Sequence, residues 1–339
     1  MTPTTDWKEV IAADEDARFE RYAQRLASLQ HKRKDGGGIR RALHAKGHGI
    51  LEASLEIAAD RPENTRHGLF AKPATYEALV RFSNGSGKMQ ADTVGDVRGI
   101  AVKVLGVVGD KVLGTAATQD LLGVLSPAVP FRNAEEFVAV VWALRAPPLA
   151  LFRIIGSLGL GRGLSLVRQL ATGLRAPHAS LATRQFYSAL PFRCGPYATR
   201  FALTPVDGTP GDGLVASADH HREDLTARLA RGPVAYQLAL QFFVDEARTP
   251  IEDSSVNWEE TVAPYVRVGR LTIARQDVTS ERGRRLAERG ERLAFDPWHA
   301  LVEHRPLGGM MRARKHAYLA SSKNRQAAPE PTTIAELLA

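Results

Sequence analysis

The longest unbroken alternation in the chain, Val234 to Val244, sets the terms of the fold. Val234, Tyr236, Leu238, Leu240, Phe242 and Val244 fall on one side of an extended segment, and Gln237, Gln241 and Asp245 fall on the other. Successive side chains of a strand point to opposite faces, so this pattern predicts a long β-strand with one apolar face to be covered. From Gly49 a second segment repeats it, with Leu51, Ala53, Leu55 and Ile57 against Glu52, Ser54 and Glu56. Shorter runs follow at Leu79 to Phe82, Gly99 to Val108, Thr199 to Leu203 and Val266 to Ala274. Several long strands at irregular spacing predict an antiparallel barrel or sandwich.

Helical periodicity occupies the rest. Phe19, Tyr22, Ala23, Leu26 and Leu29 share one side of a helix expected over Asp14 to Lys34, with charges between them. Further helices are expected at Ala134 to Leu144, around Leu149 to Leu174, at Asp277 to Leu293 and at Met310 to Ser322. The class is therefore α+β. A large barrel elaborated by helices can hold 339 residues in one core. The expected organisation is a helical arm over residues 1–35, a core over 36–328 and a tail over 329–339, whose Pro-, Ala- and Thr-rich start predicts fraying.

The formal charge is +8, so where the charge lies matters. From Phe137 to Val206 there is no acidic residue, and Arg145, Arg153, Arg162, Arg168, Arg175, Arg184, Arg193 and Arg200 are spaced singly among apolar residues. A solvated helical face is the ordinary explanation; a lipid-headgroup surface or an entrance for an anionic substrate is the alternative. Pro147 to Leu170 is apolar but broken by arginines and glycines, which argues against a membrane span. The N-terminus reads as neither a secretory signal nor a transit peptide, and the single cysteine, Cys194, excludes an internal disulfide and any multi-cysteine metal site. A cytoplasmic location is expected.

Five short motifs then occur in order. They are Arg41-Ala42-Leu43-His44-Ala45-Lys46-Gly47; Arg81-Phe82-Ser83-Asn84-Gly85, followed by Asp96-Val97-Arg98-Gly99-Ile100-Ala101-Val102-Lys103; Gln119-Asp120-Leu121 running on to Ser126-Pro127 and Phe131-Arg132-Asn133; Thr249-Pro250-Ile251-Glu252-Asp253 with Val256 and Trp258; and Arg305-Pro306-Leu307-Gly308 with Arg312, Arg314, Tyr318 and Arg325. Together they resemble the catalase-like haem proteins, in particular the short catalase-related peroxidases, over roughly Arg40 to Arg325. The resemblance implies an antiparallel β-barrel of the catalase type with packed helices around a haem pocket, without the long arms and extra domain of large catalases.

It also implies roles for individual residues. Tyr318 matches the phenolate that holds the iron of haem b. Arg314, four residues earlier on the same helical face, is placed to hydrogen-bond the phenolate oxygen. By position Arg41, Arg81 and Arg325 match the arginines that bind the haem propionates, and Phe137 matches an aromatic packed on the haem face. His44 matches the distal acid–base residue, with Ser83 holding its second nitrogen. Taken singly, each of these residues reads as well as an ordinary core or surface group.

One departure stands on the distal side. Where catalases carry an asparagine to orient hydrogen peroxide, alignment on Asp120 and Pro127 places Val124 and Leu125, whose side chains cannot hydrogen-bond. Asn84 or Gln119 is available as a substitute from elsewhere in the chain. The function expected is a haem-dependent peroxidase acting on a small peroxide or organic hydroperoxide, with a small organic reductant. The alternatives are an allene-oxide-synthase-like rearrangement of a fatty-acid hydroperoxide, or a non-enzymatic basic protein that binds membranes or nucleic acid on a degenerate fold. A nucleic-acid partner is not expected; a peripheral membrane contact and a homodimer remain open. No phosphate-cradling motif is present, and Gly159-Leu160-Gly161-Arg162-Gly163 follows no clear strand.

Overall fold

The computed structural model describes residues 3–30, 38–145, 147–173, 180–207 and 217–339. Nine strands are seen among them: β1 (Gly47–Ile57), β2 (Ala74–Asn84), β3 (Arg98–Leu105), β4 (Thr118–Val124), β5 (Phe186–Tyr187), β6 (Phe192–Cys194), β7 (Tyr197–Pro205), β8 (Val234–Phe242) and β9 (Val266–Ile273). They form one antiparallel sheet in the order β5-β4-β3-β2-β1-β9-β8-β7-β6. A second pairing, β5 with β7, closes eight of them into a barrel and leaves β6 outside. The alternating residues fill the interior: Leu51, Leu55, Val80, Val102, Leu240 and Leu271 belong to one buried cluster.

The outer face of the barrel is covered as well, which corrects the simple reading of β8. Gln241 does not face solvent. Its Nε2 donates to the carbonyls of Trp258 (2.6 Å) and Ala263 (2.7 Å), so the loop after the strand roofs that face. β4, not among the strands expected from the sequence, pairs with β3 residue for residue, from Gly99 opposite Val124 to Leu105 opposite Thr118. Its buried Asp120 hid the alternation; the cross-strand neighbour Lys103 neutralises it, with Nζ 2.8 Å from both carboxylate oxygens.

The helices are α1 (Glu15–Ala27), α2 (Ala134–Ala143), α3 (Ala150–Leu158), α4 (Leu160–Gly173), α5 (His220–Arg231), α6 (Glu281–Arg292), α7 (Gly309–Arg325) and α8 (Ile334–Leu338). The single helix expected around Leu149 to Leu174 is two, broken at Gly159, whose φ of +79° suits a residue without a side chain. Its last residue, Leu174, and the Lys34 end expected for the first helix lie outside the described residues. α5 was not anticipated. The C-terminus does not fray: Thr333 caps α8, and Ile334 and Leu337 are buried in a cluster with Leu286 of α6 and Leu79 of β2. No helix among the described residues is long and apolar enough to cross a membrane.

For the site, what matters is one side of the barrel. Ile50 and Leu79 point outward and pack beneath Leu286, Leu293 and Phe295, so α6 and the segment after it lie over β1 and β2. That segment leads directly into α7, which α1 also covers.

Candidate functional site

The barrel contributes the first wall. His44 lies just ahead of β1 with φ at +53°, a left-handed conformation that side chains other than glycine rarely adopt. Its backbone N–H donates to Gly85 O (2.9 Å), tying the loop to the end of β2, and its Nδ1 is 2.9 Å from Ser83 Oγ. Gly99 of β3 makes room for the ring: a Cβ there would stand 2.8 Å from His44 Cε1 and 3.0 Å from Nδ1. Burial, reinforced by the charges of Arg81, Arg314 and Arg41, pushes the imidazole pKa down to about 3, so His44 is neutral.

Val124 is paired with Gly99 and therefore presents its side chain to the same face as the one His44 occupies. Leu125 packs instead against the barrel interior. The two candidate substitutes for an asparagine are engaged elsewhere. Asn84, on the face of β2 opposite Ser83, accepts through Oδ1 from His48 Nε2 (2.8 Å) and donates to Asp92 (2.8 Å); Gln119 Oε1 accepts from Leu301 N (2.9 Å). Asn84 is thereby committed, and Gln119, five residues before Val124 on β4, lies on the opposite face of the sheet from His44.

The second wall is α7. Arg314 and Tyr318 stand one turn apart, and Arg314 Nη2 donates to Tyr318 Oη at 2.8 Å, with the guanidinium carbon 5.1 Å from the ring centroid. Trp298 Nε1 donates to Met311 O (2.9 Å), holding the first turns of the helix against the preceding segment. Phe137, on α2, stands edge-on to Phe131 at 5.2 Å and packs against the apolar cluster to which Met310, Met311 and Ala313 of α7 belong, the helix that carries Tyr318.

At the rim, Arg41, Arg81 and Arg325 come together from three distant segments. They meet around a residue that sequence reasoning missed, Glu291. Arg81 Nε and Nη2 donate to the two Glu291 oxygens at 2.8 and 2.9 Å, and Arg41 Nη1 donates to the same carboxylate. Arg81 also reaches His44 O (3.0 Å), while Arg41 and Arg325 donate to Leu293 O at 2.8 and 3.2 Å. Burial would raise the Glu291 pKa, but Arg41, Arg81 and Arg325 overrule it and hold the carboxyl at about 2. Arg41 itself is brought down to about 9 by burial and by its cationic neighbours, against the pull of Glu291. Nothing in the local sequence of α6 marks Glu291, because its role depends on arginines far away in the chain.

Beneath the loop of His44 lies a further buried group: Lys46 donates to Asp92 (2.9 Å), and Asp92 also accepts from His221 N (3.0 Å). This group anchors the histidine loop to α5. Asp120, His299 and Glu330 are close enough together to suggest a cation site, but Lys103 Nζ already supplies the positive charge there.

No protein-family model matches the chain. In sequence it is similar to a catalase-related peroxidase of Mycolicibacterium paratuberculosis (strain ATCC BAA-968 / K-10), 29% identical over 313 residues, which is 84% of this chain and 88% of that protein. In structure it is similar to a bacterial catalase (TM-score 0.65, 18% identity, 99% of this chain) and to a fungal catalase (TM-score 0.66, 18% identity, 100% of this chain). It spans 65% of the length of the first and 68% of the second. Catalase A from Saccharomyces cerevisiae matches at a TM-score of 0.61 with 15% identity, over 98% of this chain and 70% of its own.

Proposed function

We propose that the chain is a haem-dependent peroxidase of the catalase-like family, with haem b held through Tyr318 between α7 and the barrel, a reading supported by its similarity to a catalase-related peroxidase and by its catalase-like fold. The observation that carries the reading is the facing of two walls: a neutral histidine on one, and on the other a tyrosine hydroxyl paired at 2.8 Å with an arginine whose charge is felt by that histidine.

The residues suit the group. Haem carries two propionates, and three guanidiniums around one carboxylate leave an excess of two positive charges at the rim. Arg325 Nε is buried and has no hydrogen-bond partner. Tyr318 would be the axial ligand, stabilised as phenolate by Arg314, and Phe137 would border the ring from α2. Bound there, haem would supply the redox centre at which a peroxide O–O bond is broken and a small organic donor is oxidised.

The chain's own part is proton handling and selection. With Nδ1 protonated and directed at Ser83 Oγ, His44 keeps the lone pair of Nε2 available to take a peroxide proton and return it to the departing oxygen. The strained backbone at His44 and the missing side chain at Gly99 fix the ring in that orientation.

A second reading rests on Val124. An apolar wall beside His44 offers hydrogen peroxide no partner and suits an organic hydroperoxide, which favours rearrangement or dehydration of a fatty-acid hydroperoxide over reduction. Peroxide turnover with and without a donor separates the two. The haem-loaded chain is expected to oxidise a phenolic donor in proportion to hydroperoxide consumed. Consumption of a lipid hydroperoxide with no donor oxidised would replace the peroxidase reading by the second, and no turnover of any peroxide would overturn both.

A further inference from the structure

Apart from Phe137, the acid-free stretch of the sequence is not used by the site, and the structure gives part of it a definite form. It includes the helical hairpin of α3 and α4, whose two helices pack closely at Gly163 against Ile155 and which is held to the body by Arg162, donating to Glu136 at 2.5 and 2.8 Å. Beyond those anchors the hairpin turns apolar side chains outward. Leu144, Leu149, Leu151, Phe152, Leu160 and Leu164 are all exposed, with Phe152 at 73% and Leu160 at 65%. Arg145, Arg153 and Arg168 are exposed among them, and the sequence has no Asp or Glu from Phe137 to Val206. On α4, Leu160, Leu164 and Arg168 recur every four residues and so share one face.

We infer that this hairpin is a docking surface for the headgroup region of an anionic phospholipid bilayer. Large exposed apolar side chains need a partner more than isolated ones do. Helices that lie in a bilayer interface combine Phe and Leu, which enter the acyl boundary, with arginines that meet lipid phosphates. A second copy of the chain fits less well. A twofold contact would set the cationic patch against itself with no carboxylate on either hairpin to relieve the repulsion. Duplex nucleic acid would satisfy the arginines but leave Phe152 and the leucines without a role.

Sedimentation of the full chain with vesicles tests this. The chain is expected to bind vesicles of phosphatidylcholine with one third phosphatidylglycerol, and to bind vesicles of phosphatidylcholine alone much less. Arg153→Glu, which changes the local charge by two, should weaken binding roughly 25-fold, at about fivefold per charge. Phe152→Ser with Leu160→Ser should weaken it by roughly 100-fold, while thermal unfolding and peroxide turnover stay as in the parent, since both side chains are exposed and neither is among the residues that form the site. Equal binding to neutral and anionic vesicles, binding unaffected by these substitutions, or a dimer that dissociates on Phe152→Ser without any vesicle binding would each overturn the inference.

Discussion

The two walls of the site differ in how the chain builds them. The α7 wall is local: Arg314, Tyr318 and Arg325 lie within 12 residues of one another on one helix, and the helix alone sets their spacing. The barrel wall is assembled from distant pieces, with His44 ahead of β1, Ser83 on β2, Gly99 on β3 and Val124 on β4. By the sequence resemblance, the helix wall matches the pattern expected of a catalase-like protein, whereas the barrel wall has the expected histidine and serine but valine where the resemblance calls for an amide. On the proposed function, holding a cofactor and choosing a peroxide fall to different walls, and substitutions on the two walls should have different signatures.

The largest effect is expected from His44→Ala. Loss of a positioned acid–base group should lower peroxide turnover by roughly 10²- to 10⁴-fold. Haem content, measured by absorbance per protein, should stay the same. A parallel loss of haem would show that the walls are not separable. A smaller effect, roughly tenfold, is expected from Val124→Asn, which places an amide on the face that His44 occupies. Turnover of hydrogen peroxide should rise relative to a bulky organic hydroperoxide. An unchanged ratio would mean that Val124 does not select the substrate.

A third comparison uses acid. The segment that leads into α7 is pinned by His304, whose Nδ1 faces Arg193 O (3.0 Å) and whose Nε2 accepts from Leu69 N (2.8 Å), an arrangement open only to the neutral ring. Burial brings its pKa down to about 4. The folded pKa lies below the unfolded value of about 6.5, so the unfolded chain takes up the proton first, and stability falls as pH drops from about 6.5 towards 4. For this one residue the loss at pH 5 is about 2 kcal/mol. His304→Gln should flatten the pH dependence of thermal unfolding in that range; an unchanged slope would remove His304 from the account.

What could be read from the sequence follows the same division. The i, i+4 pair of Arg314 and Tyr318 was visible because a helix keeps its own register. So was the interior of the barrel, because Leu51 to Ile57 and Val234 to Phe242 alternate. Gln241 and Asp120 misled because a barrel wrapped by loops and helices is buried on both faces, where a polar side chain signals a partner rather than solvent. Glu291 could not be found at all: it is defined by three arginines that only the tertiary fold brings together. The apparent substitutes Asn84 and Gln119 failed for a similar reason, since each was already committed to a buried partner.

The claim at the centre is that Tyr318 is where this chain holds haem. Absorption spectroscopy of the purified protein titrated with hemin tests it most directly. The parent chain should take up one haem and give a high-spin ferric spectrum of the tyrosinate type, and Tyr318→Phe should abolish that spectrum while leaving the fold, followed by circular dichroism, unchanged. A Tyr318→Phe protein that binds hemin with the same spectrum as the parent would contradict the account.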